Sequence, residues 1–324
     1  MGGPELTVRP YRPGDERAIC RTFGGGETHR ALHEWLWRYP WRPDGRTIML
    51  AWADGELLAQ VAARPARLHV DGAVRRILQL VEVSSRQVPG GWVSREEALA
   101  RAAEALVERF VAGEGRAALV ALRDGGLPDV VPGAASRSLS SGPVPVLVRR
   151  EGGGRGRGRR LPYRAEPARD WEPRLDRLWA RVRGDHPVSV VRDASRALVR
   201  LAGRPGVRYH RYLLFPRFSD EPVGFVAFRI AGGACRWVDV VWDHAHPGAL
   251  ELAAHLSKRL AREHGAGREE LWLAGDPEGR GILGGVGFRE APGPPFSVLP
   301  CRRDFDGSRV AEDAFLTLAD ADGV

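Results

Sequence analysis

Two carboxylates lie inside otherwise apolar stretches and are the first candidates for chemistry. Glu82 stands between valines in ILQLVEVSS, and Asp239 stands between valines in CRWVDVVWD. A partly buried carboxylate can serve as a general base that takes a proton from a reacting group. It can equally pair with an arginine, and Arg64 and Arg76 are the candidates for Glu82. The sequence leaves both interpretations open.

A glycine-containing loop follows the first of these stretches. In SSRQVPGGWVSREEAL, Gly90 and Gly91 come shortly before a predicted helix. The free N–H groups at a helix N-terminus attract anions. Ser94 and Glu97 form an S-x-x-E capping box that competes for these N–H groups, and Pro89 has no N–H to offer. The loop is therefore either an anion cradle or a plain connection to a capped helix.

A second loop carries two histidines and an aspartate. It follows CRWVDVVWD and contains Asp243, His244 and His246 ahead of Pro247. The H-x-H spacing could hold a metal, but the sequence supplies no third and fourth ligand at metal-site spacing. Proline is common in the first turn of a helix. We expect a polar loop that leads into a helix, and no metal site.

A glycine and arginine run divides the chain near its middle. Residues 151–162 contain GGGRGRGRR, which has no apolar periodicity and cannot bury a face. The run predicts a linker between residues 1–150 and residues 163–324. At 324 residues the chain is long enough for two domains that each bury a core.

The two halves show the same order of signals. Each opens with a short strand and a helix, in LTVRPYRPGDERAICRTF and in YRAEPARDWEPRLDRLW. Two β-rich runs follow, joined in the first half at Asp54-Gly55, a strong hairpin signal. The carboxylate strands come next, and then amphipathic helices over 96–111 and 249–263. The halves end on AALVAL and EELWLA, followed by GPVPVLVRR and GPPFSVLPCRR. This parallel predicts a duplicated unit with a mixed sheet and helices on its faces.

Three segments in this order resemble the GCN5-related N-acetyltransferase (GNAT) family. They are VRPYRPGDERAICRTF, the strand LQLVEVSS with its loop and long helix, and ILGGVGFRE near the end. The resemblance implies an α/β (α+β) fold, a tandem acyl-CoA N-acyltransferase fold with two mixed sheets each flanked by helices. It places the acyl-CoA site in residues 1–150 and makes residues 163–324 a degenerate second copy.

The resemblance also implies a cofactor site. In the family, the fourth strand leaves backbone groups free for the pantetheine arm, and a Gln/Arg-x-x-Gly-x-Gly/Ala loop wraps the pyrophosphate. Here Trp92 stands where the family has Gly or Ala, so the loop fits in part. The implied co-substrate is acetyl-CoA or another acyl-CoA. The implied contacts are Val83, Ser85, Arg86, Gln87, Gly90, Gly91 and Trp92, and the implied catalytic base is Glu82.

Two departures weaken the resemblance to an ordinary family enzyme. The family's usual acid is a tyrosine on or after the last short helix, and no tyrosine lies there in either half. The second half has no glycine cradle.

The aromatic residues Trp35, Trp37, Tyr39 and Trp41 line an acceptor pocket in one interpretation and anchor the core or a domain interface in the other.

Two functions remain. One is an acyltransferase that moves an acetyl or related acyl group from CoA to an amine of a small molecule or sugar. The alternative is a non-catalytic binding or structural protein of the same fold in which the CoA sites have decayed. Fold resemblance does not decide between them.

The composition limits the partners. The net charge is +8 and the pI is near 10.2, with arginine as the dominant basic residue. This bias fits a phosphate-rich partner or a GC-rich codon usage. The linker arginines Arg155, Arg157, Arg159 and Arg160 lack interleaved aromatic residues, so nucleic acid is not expected as a partner.

The sequence predicts a cytoplasmic protein without a membrane partner. It has no run of eighteen apolar residues and no signal peptide at its start. The three cysteines, Cys20, Cys235 and Cys301, show no C-x-x-C spacing. We expect buried thiols and neither a disulfide framework nor a zinc knuckle.

Overall fold

The computed structural model describes residues 5–24, 28–39, 46–87, 93–122, 127, 130–131, 137–150, 162–202 and 204–321. The elements of the first half are β1 (Thr7–Pro10), α1 (Asp15–Phe23), α2 (Thr28–Arg38), β2 (Ile48–Ala53), β3 (Glu56–Val70), β4 (Ala73–Ser85), α3 (Arg95–Leu106), a π-helical turn (Val107–Ala112), β5 (Ala118–Leu122) and β6 (Leu139–Arg150). The second half contains β7 (Tyr163–Pro167), α4 (Arg174–Val182), β8 (Val188–Val190), α5 (Ala194–Leu201), β9 (Tyr209–Pro216), β10 (Gly224–Ala231), β11 (Ala234–Trp242), α6 (Pro247–Glu263), β12 (Arg268–Trp272), α7 (Pro277–Gly285), β13 (Arg289–Pro300), α8 (Gly307–Asp313) and a 3₁₀ turn (Leu318–Asp320).

The local signals of the sequence correspond to these elements. Asp54 and Gly55 both have positive φ values, 51° and 75°, as a tight hairpin turn requires. The Ser94 hydroxyl accepts a hydrogen bond from the Glu97 N–H at 3.0 Å, which caps α3. The predicted helix over 96–111 is present as α3 and the π-helical turn that continues it, and Pro247 is in the first turn of α6.

The strands form one mixed sheet. Its order is β1-β2-β3-β4-β5-β13-β6-β12-β11-β10-β9-β7, and β8 pairs with β3 outside this path, which gives 13 strands in all. The mixed α/β fold class is confirmed. The expected pair of sheets needs a correction, because the strands of both halves join edge to edge in a single sheet.

The two halves join because they exchange their last strands. β13, from the second half, lies between β5 and β6, and β6, from the first half, lies between β13 and β12. A buried ion pair connects β6 to β12: Arg149 Nε donates to Glu269 Oε2 at 2.6 Å and Nη2 donates to Oε1 at 2.8 Å. The division into two domains stays a prediction, and most of the predicted linker lies outside the described residues.

Helices cover both faces of the sheet. In the first half, α3 packs on Leu78 and Leu80 of β4, whereas α1 and α2 pack on the opposite face around Val81. In the second half, α6 packs on Val240 and its neighbours. These layers leave the ends of the strands as the places where side chains can converge.

In the described part of the chain, no helix combines the length and apolarity needed to cross a membrane. Cys20 and Cys235 are buried and Cys301 is half-buried, and none of the three is in a disulfide.

Candidate functional site

A cavity opens in the first half where β4 leaves β5. The two parallel strands pair at Leu78 with Leu119 and at Gln79 with Val120, and β4 then continues to Ser85 with no further partner on this side among the described residues. The cavity measures about 470 Å³. Its lining residues come from the end of α1, the end of β4, the start of α3 and the segment after β5, namely Phe23, Val83, Ser84, Ser85, Arg95, Leu99 and Val130.

The predicted cofactor residues fall into four groups. Val83 and Ser85 line this cavity. Arg86 turns away from it, because its side chain pairs with Glu56 and donates to the Leu57 carbonyl at 2.8 Å. Gln87 is exposed at the end of β4. The remaining three, Gly90, Gly91 and Trp92, lie outside the described residues.

Arg95 is a cavity residue that the sequence analysis did not identify. It is the first residue of α3, directly after the Ser94 cap. Its side chain therefore lines the cavity beside the helix N-terminus, where both the guanidinium and the free N–H groups favour an anion. The position of Arg95 one residue after the predicted cap was the feature of the sequence that could have indicated this role.

Glu82 lies on the face of β4 that α2 covers. Its Oε2 accepts a hydrogen bond from the Tyr39 hydroxyl at 2.8 Å and one from Arg38 Nη1 at 3.3 Å. The predicted partners Arg64 and Arg76 are wrong, since a residue of α2 supplies the ion pair instead. Both bonds end on Oε2, and within the described residues Oε1 accepts none. The carboxylate is one-fifth exposed.

Two neighbours of Glu82 are inactive as acids or nucleophiles at neutral pH. Burial raises the pKa of the Cys20 thiol to about 11, and the charges of Glu82 and Glu16 act in the same direction. Burial and the hydrogen bond that Tyr11 donates to Glu16 raise the pKa of Tyr11 to about 12. Cys20 and Tyr11 are therefore not candidates for the chemistry of this face.

The aromatic residues near α2 divide between core and interface. Trp35 and Tyr39 are each only 5% exposed and belong to the core under α1 and α2. The Trp37 indole donates to the Ala202 carbonyl at 3.0 Å and contacts the second half. Trp41 lies outside the described residues.

A cationic cavity of about 380 Å³ lies where β3 and β4 meet α5. Six arginines line it, Arg64, Arg67, Arg76, Arg116, Arg196 and Arg200. Four of these bond to acidic side chains or carbonyl groups. Arg64 and Arg76 have no acidic partner within the described residues, and Arg64 Nη1 is buried without a hydrogen bond. The cavity therefore presents uncompensated positive charge.

Asp239, the counterpart of Glu82 in the second half, is part of a closed network. It is 5% exposed, and its Oδ1 accepts from Arg192 Nε at 3.0 Å and from the Thr317 hydroxyl at 2.9 Å. Asp320 also binds Arg192. Asp239 is an ion-pair residue and has no role as an exposed base.

The C-terminal segment occupies the space where β11 leaves β12. Pairing between these strands ends at Trp237 with Leu271, and Leu316 then pairs with Ala274 just after β12. Thr317 reaches β11 through Asp239. In the first half the corresponding space is the open cavity beside Val83, so the two halves differ at this point.

The loop that carries Asp243, His244 and His246 directs these three side chains to different partners. Asp243 binds Arg181 Nε at 3.1 Å, and His246 Nδ1 lies 3.3 Å from the Tyr163 hydroxyl. His244 points elsewhere, toward His186 and Asp276, and the ligand-type atoms of these three residues lie within 4.8 Å of one another. His186 and Asp276 are 58 and 32 residues away from His244 along the chain, so spacing in the sequence did not indicate them as partners of His244.

Comparison by sequence finds no match for this chain among family models or curated proteins. Comparison by structure finds matches to solved structures. A conserved protein of unknown function from Enterococcus faecalis V583, named a probable N-acyltransferase, superposes with a TM-score of 0.67 at 12% identity, over 92% of this chain and 73% of its own. GCN5-related N-acetyltransferases from Anabaena variabilis ATCC 29413 and Kribbella flavida give TM-scores of 0.65 and 0.63 at 10% and 14% identity. Each of these two matches covers 91% of this chain, and they cover 72% and 71% of the neighbours. The chain therefore has the fold of the GCN5-related N-acetyltransferases.

Proposed function

We propose that this protein transfers an acyl group from an acyl-CoA to an amine, with the cofactor held in the first half. The observation that carries the proposal is the cavity at the end of β4 and the start of α3, whose lining on β4 begins at Val83, the residue after Glu82. It coincides with the open edge of β4 and with the N-terminus of α3. In the structural neighbours named N-acetyltransferases the same fold carries this class of reaction.

The cavity offers what an acyl-CoA needs. The edge of β4 from Val83 to Ser85 has backbone N–H and C=O groups that can pair with the two amides of the pantetheine arm. Arg95 and the first N–H groups of α3 can bind the pyrophosphate. Leu99 and Phe23 supply apolar contacts to the arm. Arg86 is not part of this proposal, because Glu56 already neutralises it.

Glu82 is the proposed base. The ammonium of the acceptor loses a proton to Glu82 Oε1, directly or through one water, and its lone pair attacks the thioester carbonyl. The new C–N bond forms, the C–S bond breaks and the CoA thiolate leaves, and the second proton that the nitrogen loses passes through water to the thiolate sulfur. Tyr39 and Arg38 hold the carboxylate through Oε2 and leave Oε1 for this task.

The cationic cavity suggests an acceptor that carries negative charge. Ala62 pairs with Glu82 across β3 and β4, and Arg64 lies two residues further along β3, a distance of about 7 Å. An acceptor whose amine reaches Glu82 can therefore place a phosphate or carboxylate near Arg64. Glucosamine and glucosamine 6-phosphate form a matched pair, and we expect the phosphorylated sugar to be the better acceptor.

Calorimetric titration of the purified protein with acetyl-CoA tests the cofactor site. Arg95→Glu places a negative charge at the pyrophosphate position, so we expect affinity to fall by about tenfold or more. Arg101→Glu is the matched control, because Arg101 is exposed on the same helix and does not line the cavity. Equal loss in both variants would mean that only net charge matters and would contradict the proposed site.

The alternative function is a non-catalytic protein with decayed CoA sites. The closed network around Asp239 favours it for the second half. If the wild-type protein releases no heat with any acyl-CoA, the alternative replaces the proposal for the first half as well.

A further inference from the structure

His186, His244 and Asp276 form a compact cluster at the ends of β11 and β12 in the second half. His186 comes from the turn before β8, His244 from the loop between β11 and α6, and Asp276 from the cap of α7. His186 and Asp276 are fully buried, and His244 is one-quarter exposed. Three segments that are distant in sequence thus bring two imidazoles and a carboxylate together.

Three of the four imidazole nitrogens in this cluster lack a hydrogen-bond partner among the described residues. Neither ring nitrogen of His186 has a partner at hydrogen-bond geometry there, although the Trp242 backbone lies close to the ring and the residue has no exposed surface. His244 Nε2 is also buried without a hydrogen bond, and it lies 3.8 Å from Asp276 Oδ1. An unpaired buried polar atom is costly, so nitrogens arranged in this way indicate a ligand between them.

Further groups orient the three residues from outside the cluster. His244 Nδ1 lies 3.4 Å from Glu278 Oε2, so a carboxylate stands behind the nitrogen that faces away from the cluster. The Trp242 indole donates to Asp276 Oδ2 at 2.8 Å, and the Gly279 N–H donates to Oδ1 at 2.7 Å. A carboxylate behind a histidine and donors behind a carboxylate are the usual second layer of protein metal sites.

We propose that His186, His244 and Asp276 bind a divalent transition metal ion, with Zn²⁺ the best fit. Two imidazoles and one carboxylate are a donor set that zinc uses in sites with three protein ligands and one open position. The carboxylate keeps lone pairs for the metal in addition to the two hydrogen bonds that it accepts. Zinc bonds of about 2 Å place ligand atoms roughly 3.3 Å apart, so the cluster, whose ligand atoms lie within 4.8 Å of one another, has to contract by up to about 1.5 Å.

The site lies in the half that has no glycine cradle. It is at the carboxyl ends of β11 and β12, at the edge where the first half has its cavity beside β4. The metal site is therefore independent of the proposed acyl-CoA site, and the failure of one proposal leaves the other standing.

Zinc binding to the full-length protein tests the proposal. The protein is stripped with a chelator, dialysed, titrated with Zn²⁺ against a competing indicator and analysed for metal content. We expect about one equivalent bound with a Kd near 1 µM or tighter. Co²⁺ in the same site should give the intense visible absorption of a low-coordinate N/O complex.

Substitutions assign the ligands. His244→Gln and Asp276→Asn should each weaken zinc binding by about 100-fold or more, and Glu278→Gln by about tenfold, as an outer-layer group does. His246→Gln is the matched control on the same loop, and His264→Gln tests the separate His210–His264 pair at the other end of α6, whose rings lie 5.3 Å apart. Both controls should bind zinc as the wild type does.

His244→Gln tests the metal site in a protein that keeps its fold. His244 is partly exposed, so His244→Gln should keep the circular dichroism spectrum of the wild type. Wild-type protein that binds no zinc at about 100 µM overturns the proposal. Zinc affinity that is unchanged in His244→Gln, or is lost in His264→Gln instead, overturns it as well.

Discussion

Glu82 receives both of its hydrogen bonds on one carboxylate oxygen. The Tyr39 hydroxyl and Arg38 fix Oε2 from the α2 side, and in the part of the chain that the structure describes Oε1 accepts no bond and is left for another proton. A carboxylate held in this way loses little freedom when it meets an acceptor amine, which favours proton transfer. Among the aromatic residues near α2, the buried Tyr39 is a core residue that also positions the proposed base.

We predict that Glu82→Gln lowers kcat by about 10²–10⁴-fold, because an amide cannot accept the ammonium proton. Acetyl-CoA affinity should change by less than about twofold, since Glu82 is outside the cofactor cavity. Tyr39→Phe should lower kcat by about tenfold with KM unchanged, through the lost hydrogen bond to Oε2. Steady-state kinetics in an acetyl transfer assay measures kcat and KM, and calorimetric titration measures the acetyl-CoA affinity.

Tyr11→Phe is the control for this series. Tyr11 belongs to the same aromatic cluster, but it donates to Glu16 and not to Glu82. Its removal should leave kcat within about twofold of the wild type. Glu82→Gln with full activity would remove Glu82 from the mechanism.

At the scale of elements, strand β4 and helix α3 were predictable because their signals are local. The apolar run of β4 and the Ser94 cap specify a strand and a helix start from adjacent residues. The partners of Glu82 were not predictable in this way. Arg38 is 44 residues away from Glu82, and α2 meets β4 only after the sheet has formed.

The cluster of His186, His244 and Asp276 was not predicted from the sequence for the same reason. His244 was visible in an H-x-H pattern, and the sequence offered Asp243 and His246 as the adjacent ligands. The fold gives those two residues other partners and brings in His186 and Asp276 across long separations. Spacing along the chain reveals ligands on one element, but not ligands that tertiary structure assembles.

Helix α3 links stability and cofactor binding through its cap, and the two properties should respond differently to substitution. Ser94→Ala removes the hydrogen bond to the Glu97 N–H and should lower the free energy of unfolding by about 1 kcal/mol. Ser94→Asp keeps an acceptor and should stay within about 0.5 kcal/mol of the wild type. Urea denaturation measures both values.

Acetyl-CoA binding should rank these variants in another order. Ser94→Ala frees an N–H group at the proposed pyrophosphate site and should not weaken binding. Ser94→Asp places a carboxylate there and should weaken it by about fivefold. If Ser94→Asp binds acetyl-CoA as tightly as the wild type, the pyrophosphate does not lie at the start of α3.

At the scale of the whole molecule, the exchanged strands make each half incomplete without the other. β6 and β13 have similar apolar sequences, and strand periodicity alone does not indicate which of them pairs with β5. The buried pair between Arg149 and Glu269 distinguishes them, because it places the β6 side chain opposite the matching charge on β12. Neither charge could be buried at this position without the other.

The exchange predicts how separated halves behave. A fragment of residues 1–150 exposes β6 and the edge of β5, and a fragment of residues 162–324 exposes β13 and the edge of β12. Unpaired strands of this kind promote aggregation. We expect each fragment alone to be unstable or aggregated, and the two co-expressed fragments to form a stable 1:1 complex, as measured by size-exclusion chromatography and circular dichroism.

Charge substitutions on β6 test whether the buried pair directs this assembly. Arg149→Glu in the first fragment buries two like charges and should cost about 3–5 kcal/mol, which weakens association by at least about 100-fold. Adding Glu269→Arg to the second fragment should recover part of that loss. Arg150→Glu is the matched control, because Arg150 is the exposed next residue of the same strand. Fragments that fold separately and show no affinity for each other would mean that the shared sheet is not required for stability.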